Sequence, residues 1–405
     1  MGRTSVYDAV VAGHICFDVI PTFPEIEGDA EGFSKLLIPG KLVKIGPMAT
    51  STGGPVSNTG LALKRLGVKV TLMGKVGNDF LGNGIITSLK KEKLEKGMII
   101  VPGESTSYTI VIAPPRIDRL FLHSQGANNT FGFSDVNLDI VKKAKLFHFG
   151  YPPLMEKIYK DGAKELIKIF ETVKGLGVTT SLDMSLPDPK SESGKMPWRK
   201  VLERLIPSVD IYLPSAEESL FMLYPEIFKQ KKEEAGKREM LDVLEMEEIA
   251  ELGRELLDMG AKIVAIKSGY KGIYLITSKK EKLKEIGFAK PGNLENWAER
   301  EIFESAFYVE KIASATGSGD SAIAGFLAAY IKGLPIEETV RTACAVGWQN
   351  VLVMDAVSGI KSWDETMAQN KLNLPKNDIR PKTQGWKFVE SERHWVSLLD
   401  RRFRA

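Results

Sequence analysis

Residues 314–320 read Ser-Ala-Thr-Gly-Ser-Gly-Asp and run directly into a stretch of mostly small and apolar residues, 321–330. Two glycines, Gly317 and Gly319, flank the small residue Ser318, so the backbone can approach a ligand closely and point successive N–H groups at it. The start of a helix adds unpaired donors and the positive end of the helix dipole, which favours an anion such as phosphate. The stretch therefore predicts an anion site at the beginning of a helix.

Asp320 ends this motif, and it is the residue that the anion site does not explain. A carboxylate beside bound phosphate is repulsive unless it has a task there, such as accepting a proton during a reaction. A helix cap is the other interpretation, because Asp is common in that role. The local sequence leaves both interpretations open.

The composition is that of an ordinary globular protein, with 55 basic and 52 acidic residues among 405 and a net charge of +3. There is no clustered Lys/Arg excess for nucleic acid, and no stretch approaches the roughly 20 apolar residues of a membrane span. Cys16 and Cys344 lie far apart and suit a reducing compartment. We therefore expect a cytoplasmic protein without nucleic-acid or membrane partners.

Strand and helix patterns alternate along most of the chain. The apolar run at 7–12 ends at a glycine, as a buried parallel strand would, and regular alternation follows from residue 144 onward. This alternation predicts an α/β fold with a doubly wound, mostly parallel sheet. We expect one domain over residues 1–360 and a polar C-terminal extension over residues 361–405.

Two segments, at about residues 24–44 and 105–124, depart from this alternation and are typical of short strands and turns. Together they predict a small separate β-sheet that would act as a lid.

A second glycine motif reads Gly53-Gly54-Pro-Val-Ser-Asn58 and leads into a helical pattern. The glycine pair again permits close backbone approach, and Asn58 in the first turn can hydrogen-bond a polar ligand. Asp18 follows the first strand, near the sheet edge where α/β proteins bind ligands.

In their order along the chain, these motifs resemble those of the ribokinase-like PfkB family of carbohydrate kinases over most of residues 7–360. Gly53-Gly54 with Asn58 resembles the amino-terminal signature, and residues 314–320 resemble the carboxyl-terminal one, usually D-T-x-G-A-G-D. Residues 214–218, Pro-Ser-Ala-Glu-Glu, are similar to an element tied to the magnesium site. Residues 269–272, Gly-Tyr-Lys-Gly, are similar to a turn that faces ATP.

The resemblance implies an ATP-dependent kinase that transfers the γ-phosphate to a hydroxyl of a small sugar or sugar derivative. Asp320 would be the general base, and the amides of Gly317, Ser318 and Gly319 would form the anion hole. Glu218 would hold Mg²⁺ mainly through water. The residues implied to bind the acceptor are Asp18, Gly53, Gly54 and Asn58. Those implied to contact ATP are Lys267, Gly269 and Gly272.

The chain departs from the family pattern at three places. Ser314 and Ala315 stand where the signature begins with Asp-Thr, in a region that helps relatives hold a monovalent cation, so a K⁺ site is left in question. Ser215 replaces the Asn that usually precedes the metal-associated Glu. Residues 183–187, Asp-Met-Ser-Leu-Pro, replace the more polar Asp-x-Asn-x-Arg element of many relatives.

Three other functions are compatible with parts of this sequence. A nucleoside kinase of the same fold stays open, because base recognition depends on lid packing. Gly317-x-Gly319-x-x-Ala322 also fits the NAD fingerprint of an oxidoreductase, but the acidic residue about 20 positions on, Glu337, begins a helix instead of ending a strand. A non-catalytic nucleotide-binding protein is the third alternative, and Asp320 argues against it.

Relatives often dimerise through the lid, so the resemblance also implies a homodimer.

Overall fold

The apolar runs of the sequence form one large sheet, because strands that are buried on both faces need near-continuous apolar side chains. A computed structural model describes residues 5–23, 38–114 and 120–403 of the chain. In this part of the chain, eleven strands form the sheet in the order β14-β15-β13-β12-β11-β10-β9-β8-β1-β4-β5. All pairs from β11 to β5 are parallel, and those from β11 to β14 are antiparallel. The predicted α/β class and its mostly parallel sheet are confirmed.

The strands of the large sheet are β1 Tyr7–Gly13, β4 Val70–Gly77, β5 Met98–Val101, β8 Ala144–Gly150, β9 Thr179–Leu182, β10 Ile211–Tyr212, β11 Ile263–Lys267, β12 Gly272–Thr277, β13 Glu301–Ser305, β14 Trp386–Val389 and β15 His394–Ser397. The α-helices are α1 Pro55–Arg65, α2 Phe80–Lys91, α3 Leu138–Val141, α4 Glu156–Gly175, α5 Trp198–Leu205, α6 Ala216–Leu223, α7 Pro225–Ala235, α8 Met246–Asp258, α9 Lys280–Leu283, α10 Leu294–Trp297, α11 Ser318–Ile331, α12 Ile336–Val351 and α13 Trp363–Asn370. No helix in the described ranges is long and apolar enough to cross a membrane.

Two apolar cores lie on opposite faces of the sheet, as β1 shows. Successive side chains of a strand point to opposite faces, and Val10 and Ala12 join one core whereas Ala9 and Val11 join the other. Helices α4, α5 and α8 cover the first face, and α1, α2, α11 and α12 cover the second. This doubly wound arrangement brings α1 and α11 to the same face of the sheet.

A separate four-stranded sheet, which we call the lid, has the order β3-β2-β6-β7. Its strands are β2 Cys16–Pro21, β3 Met48–Gly53, β6 Tyr108–Ile112 and β7 Leu120–Ser124. The second predicted lid segment therefore supplies β6 and β7. The first contributes no strand within its described residues, 38–44; β2 and β3 lie on either side of it. Residues 24–37 and 115–119 of the two segments lie outside the described part of the chain.

The end of the chain is more regular than its polar sequence suggested. Strand β15 pairs with β13 and β14 with β15, so residues after 361 extend the large sheet. The fully buried Asp400 accepts hydrogen bonds from Arg300 Nε at 2.9 Å and from the Glu301 backbone N–H at 2.9 Å. The boundary between a domain at 1–360 and an extension at 361–405 stays a prediction.

Candidate active site

The glycine motif at 314–320 leads into α11, whose start lies beside Lys267, the last residue of β11. Gly317 adopts a left-handed conformation with φ 75°, and an added Cβ would lie 2.6 Å from the Ala356 Cβ. Both facts require glycine at this position, because other residues adopt this conformation at a cost and would collide here. Helix α11 then begins at Ser318, so Asp320 lies in its first turn.

Asp320 is buried and its carboxylate is held on one side only. Its Oδ2 accepts hydrogen bonds from Asn58 Nδ2 at 2.8 Å and from the Tyr151 hydroxyl at 3.2 Å. Its Oδ1 has no hydrogen-bond partner among the residues that the structure describes, and no backbone N–H in these ranges donates to the carboxylate. These contacts differ from those of a helix cap.

The surroundings of Asp320 also change its acidity. Burial raises the pKa of Asp320 to about 6, although hydrogen bonds from Asn58 and Tyr151 and the charge of Lys267 act in the opposite direction. A carboxylate with a pKa near the working pH is ionised at neutral pH and still basic enough to accept a proton.

Tyr151 is a site residue that the sequence interpretation missed. It follows β8 directly and adopts a left-handed conformation with φ 61° and ψ 44°, which is uncommon for a bulky residue. Burial and the charge of Asp320 raise the pKa of Tyr151 well above its usual range, so the phenol stays protonated and donates. The available signal was its place at the carboxyl end of a strand, just before Pro152-Pro153.

The predicted acceptor-binding residues lie close to Asp320 and to one another. Asp18 belongs to the lid strand β2 and packs against Gly53, where an added Cβ would lie 2.3 Å from Asp18 Oδ2. Gly54 precedes α1 with φ 80°, and an added Cβ would lie 2.6 Å from His14 Nδ1. Asn58 in α1 completes this group through its bond to Asp320. Burial raises the pKa of Asp18 to about 6.

Two histidines without a role in the sequence interpretation connect the large sheet with the lid. His14 Nε2 lies 3.3 Å from His123 Nε2 on β7, and His123 Nδ1 lies 3.0 Å from the Thr109 hydroxyl on β6. Burial lowers the pKa of His14 well below its usual range, so this imidazole is neutral. The contact joins the end of β1 to the lid strand β7.

Lys267, at the end of β11, forms a buried ion pair that the sequence did not predict. Its Nζ donates to Asp183 Oδ1 at 2.6 Å and also to the Leu213 carbonyl. Burial opposes the charge of Lys267, but the carboxylates of Asp183, Glu218 and Asp320 together outweigh this effect and raise the pKa of Lys267. An added Cβ on Gly319 would lie 3.4 Å from Lys267 Cε, so this cation adjoins the glycine motif.

Glu218 lies in the first turn of α6 and forms a capping box with Ser215. Its Oε2 accepts from the Ser215 backbone N–H at 2.7 Å, and its own N–H donates to the Ser215 hydroxyl at 3.2 Å. The negative charges of Glu218 and Asp320 act on Asp183, and one cation, Lys267, counters them. In the described ranges no cluster of three or more acidic, His or Cys side chains could hold a metal. The excess negative charge suits Mg²⁺ that is held mainly through water.

A cavity of about 550 Å³ opens beside the start of α11. All three residues predicted to contact ATP line it, together with two residues of the predicted anion hole: Lys267, Gly269, Gly272, Ser318 and Gly319. Phe307, Tyr308 and Trp348 form an aromatic part of the wall. The arrangement offers an apolar compartment that ends at backbone N–H groups and a cation.

Comparison with known proteins gives consistent findings. Residues 9–363 match the family model of the pfkB family carbohydrate kinases. The chain is 24% identical over 287 residues to an uncharacterized sugar kinase of Archaeoglobus fulgidus, with 69% of this chain and 90% of that one covered. It is 25% identical over 347 residues to the cytidine kinase of Thermococcus kodakarensis, with 82% and 92% covered. The solved ribokinase of Arabidopsis thaliana complexed with ribose and ATP superposes with a TM-score of 0.66 at 20% identity, covering 91% and 99%.

Proposed function

The chain belongs to the pfkB family of carbohydrate kinases, and we propose that it transfers the γ-phosphate of ATP to a hydroxyl group of a small sugar or sugar derivative. One observation carries this proposal. Asp320 directly follows Ser318 and Gly319, which line the cavity beside Lys267, and its buried carboxylate is bonded to Asn58 and acts on the charge of Asp18. A phosphoryl group that binds in this cavity and an acceptor hydroxyl that binds at Asp18 and Asn58 would meet at Asp320.

In this proposal Asp320 is the general base. Asn58 and Tyr151 hold Oδ2, which leaves Oδ1 to take the proton of the acceptor hydroxyl. The acceptor oxygen forms a bond to the γ-phosphorus, the bond from that phosphorus to the β,γ-bridging oxygen breaks, and ADP leaves with the electron pair.

The start of α11 would stabilise the charge on the transferred group. The N–H groups of Gly317 and Gly319 at the left-handed turn have no acceptor among the described residues, so they can donate to an anion. The Ser318 N–H donates to the Ala315 carbonyl at 3.2 Å, so it would join the anion hole only by giving up this bond. Lys267 adjoins Gly319 and adds a positive charge on the same side. Mg²⁺ bound with ATP would neutralise phosphate charge, and Glu218 would hold its water ligands.

The acceptor side favours an uncharged substrate. Asp18 and Asp320 both face it, and the charge of Asp320 is one cause of the raised pKa of Asp18. A third negative charge would be repelled there, whereas hydroxyl groups can donate to both carboxylates. We therefore expect neutral sugars to react faster than sugar phosphates or sugar acids.

A nucleoside is the second candidate acceptor. The match to the cytidine kinase of Thermococcus kodakarensis covers more of this chain than the match to the sugar kinase does, 82% against 69%. A nucleoside also presents uncharged ribose hydroxyls, so the same two carboxylates suit it.

Coupled ADP release over a panel of neutral sugars, sugar acids, sugar phosphates and nucleosides tests the proposal. We expect ADP release above the acceptor-free rate with at least one neutral sugar. Turnover with nucleosides alone would favour the second candidate. If no acceptor raises the rate above that with water alone, the kinase proposal is wrong.

The pH dependence of the reaction should report on Tyr151. A donor to a carboxylate stabilises its charged form, so Tyr151→Phe should raise the pKa of Asp320 above its value of about 6. The acid limb of the kcat/KM profile should then move up by roughly half to one pH unit, because the free enzyme must be deprotonated at Asp320 to react.

The matched control is Tyr159→Phe, which removes one phenolic hydroxyl from a mostly buried residue of α4 that has no bond to Asp320. Its acid limb should coincide with that of the wild type. An acid limb for Tyr151→Phe that also coincides with the wild type would show that Tyr151 does not set the acidity of Asp320.

We further propose that the lid mediates a homodimer. The outer strand β7 carries three consecutive apolar residues, Leu120, Phe121 and Leu122, each about half exposed at 48%, 50% and 49%. Covering such a patch would remove apolar surface from water. Light scattering should give twice the mass of one chain for the wild type and a lower mass for Phe121→Lys. A wild-type mass of one chain would rule the dimer out.

A further inference from the structure

A short segment of the C-terminal extension forms part of the wall of the nucleotide cavity. The family match ends at residue 363, so this segment lies outside it. Asn377 nevertheless lines the same cavity as Gly269, Tyr270 and Trp348. This chain therefore has a wall residue beyond the part that it shares with the family.

The segment is fixed in place by backbone bonds to the end of the large sheet. The Asn377 N–H donates to the Ala306 carbonyl at 2.9 Å, and the Tyr308 N–H donates to the Pro375 carbonyl at 2.9 Å. Next to Asn377, Lys376 Nζ lies 2.5 Å from the Oε1 of Glu304, whose side chain is fully buried. Asn377 is thus held on a rigid support.

The hydrogen bonds of Asn377 determine which way its side-chain amide points. Its Nδ2 donates to the Tyr270 carbonyl at 2.7 Å, and a carbonyl oxygen can only accept. The amide nitrogen must therefore face Tyr270, which leaves Oδ1 as a hydrogen-bond acceptor for a ligand in the cavity.

This acceptor stands at a cavity whose aromatic residues, Phe307, Tyr308 and Trp348, suit a flat base. Adenine presents an amino group where guanine presents a carbonyl oxygen. We propose that Asn377 selects the base of the bound nucleotide, with its Oδ1 accepting a hydrogen bond from the amino group of adenine. The proposal rests on the proposed function insofar as the cavity binds ATP.

This role is tested by titration calorimetry, which measures the binding of non-hydrolysable ATP and GTP analogues in the absence of acceptor. The wild type should bind the ATP analogue at least about tenfold more tightly than the GTP analogue, since the carbonyl oxygen of guanine would face the Asn377 Oδ1 without a hydrogen bond. Asn377→Ala should weaken binding of the ATP analogue by about five- to tenfold and bring the two affinities within about threefold of each other. The control Asn373→Ala changes an exposed residue outside the cavity and should behave as the wild type.

Three results would overturn the inference. The first is equal affinity of the wild type for both analogues, which needs no variant and so does not depend on its folding. The second is unchanged discrimination in Asn377→Ala. The third is a preference for the ATP analogue that is lost in Glu239→Gln but kept in Asn377→Ala. Glu239 is the residue to compare because it is another hydrogen-bond acceptor at this cavity.

The experiment also separates this role from the kinase proposal. A wild type that binds neither analogue contradicts both. Discrimination that depends on Asn377 in a protein that phosphorylates no acceptor of the panel would contradict the kinase proposal alone.

Discussion

Asp320→Asn should lower kcat by about a thousandfold and leave the affinity for ATP within a few-fold of the wild type. The amide has the same shape and its oxygen can still accept a hydrogen bond from Asn58 or Tyr151, which hold Oδ2 in the wild type. An amide cannot take a proton from the acceptor hydroxyl at neutral pH. Steady-state rates of ADP release, together with calorimetric titration of ATP, measure the two quantities separately.

The control for this substitution is Asp364→Asn, which removes an exposed carboxylate from the first turn of α13. It should leave kcat unchanged, because its contribution is limited to the charge at a helix start. If Asp320→Asn also retained near-wild-type turnover but lowered the melting temperature, Asp320 would be a helix cap and not the base.

The raised pKa of Asp320 also predicts that Asp320→Asn increases the stability of the protein while it lowers the activity. A carboxyl group whose pKa is raised to about 6 in the folded protein binds its proton more tightly than in the unfolded chain. The stability that it contributes is present below its ordinary pKa of 3.8 and is lost as the pH rises through 6. Asp320→Asn removes this ionisation, so its melting temperature at neutral pH should exceed that of the wild type.

The neighbourhood of Asp320 shows what the sequence could and could not predict. The glycine turn and the start of α11 depend on adjacent residues, so the local motif was sufficient to predict them. The choice between cap and base depends on Asn58 and Tyr151, which are 262 and 169 positions away in the chain. Asn58 was found through its glycine pair, whereas Tyr151 has no motif of its own.

A similar distinction holds for the fold. The parallel strands that are buried on both faces are apolar runs, and their alternation with helices predicted the large sheet. Strands β14 and β15 have four residues each and lie at the edge of the sheet, and β15 pairs with β13, about 90 residues earlier. Their place in the sheet depends on this distant partner and on the buried pair of Arg300 with Asp400, which no local pattern encodes.

Lys267→Met should destabilise the protein by about 3–5 kcal/mol, because it leaves the carboxylate of Asp183 buried without its partner. Asp183 is 1% exposed and accepts from Lys267 Nζ at 2.6 Å. Urea denaturation measures the change in the free energy of unfolding. The control is Lys195→Met, which breaks the exposed ion pair with Glu192 and should cost less than about 1 kcal/mol. A loss for Lys267→Met as small as that of the control would mean that Asp183 is not charged in the folded protein.

The double variant Asp183→Asn/Lys267→Met separates the structural task of Lys267 from its proposed contact with phosphate. Removing both charges removes the unpaired carboxylate, so most of the lost stability should return. Turnover should stay at least about a hundredfold below the wild type, because no cation then adjoins Gly319 to balance the charge on the transferred phosphoryl group. Recovery of stability and turnover together would show that Lys267 serves only to neutralise Asp183. A stable and slow double variant would instead support Lys267 as the residue that balances charge on the ATP side of Asp320.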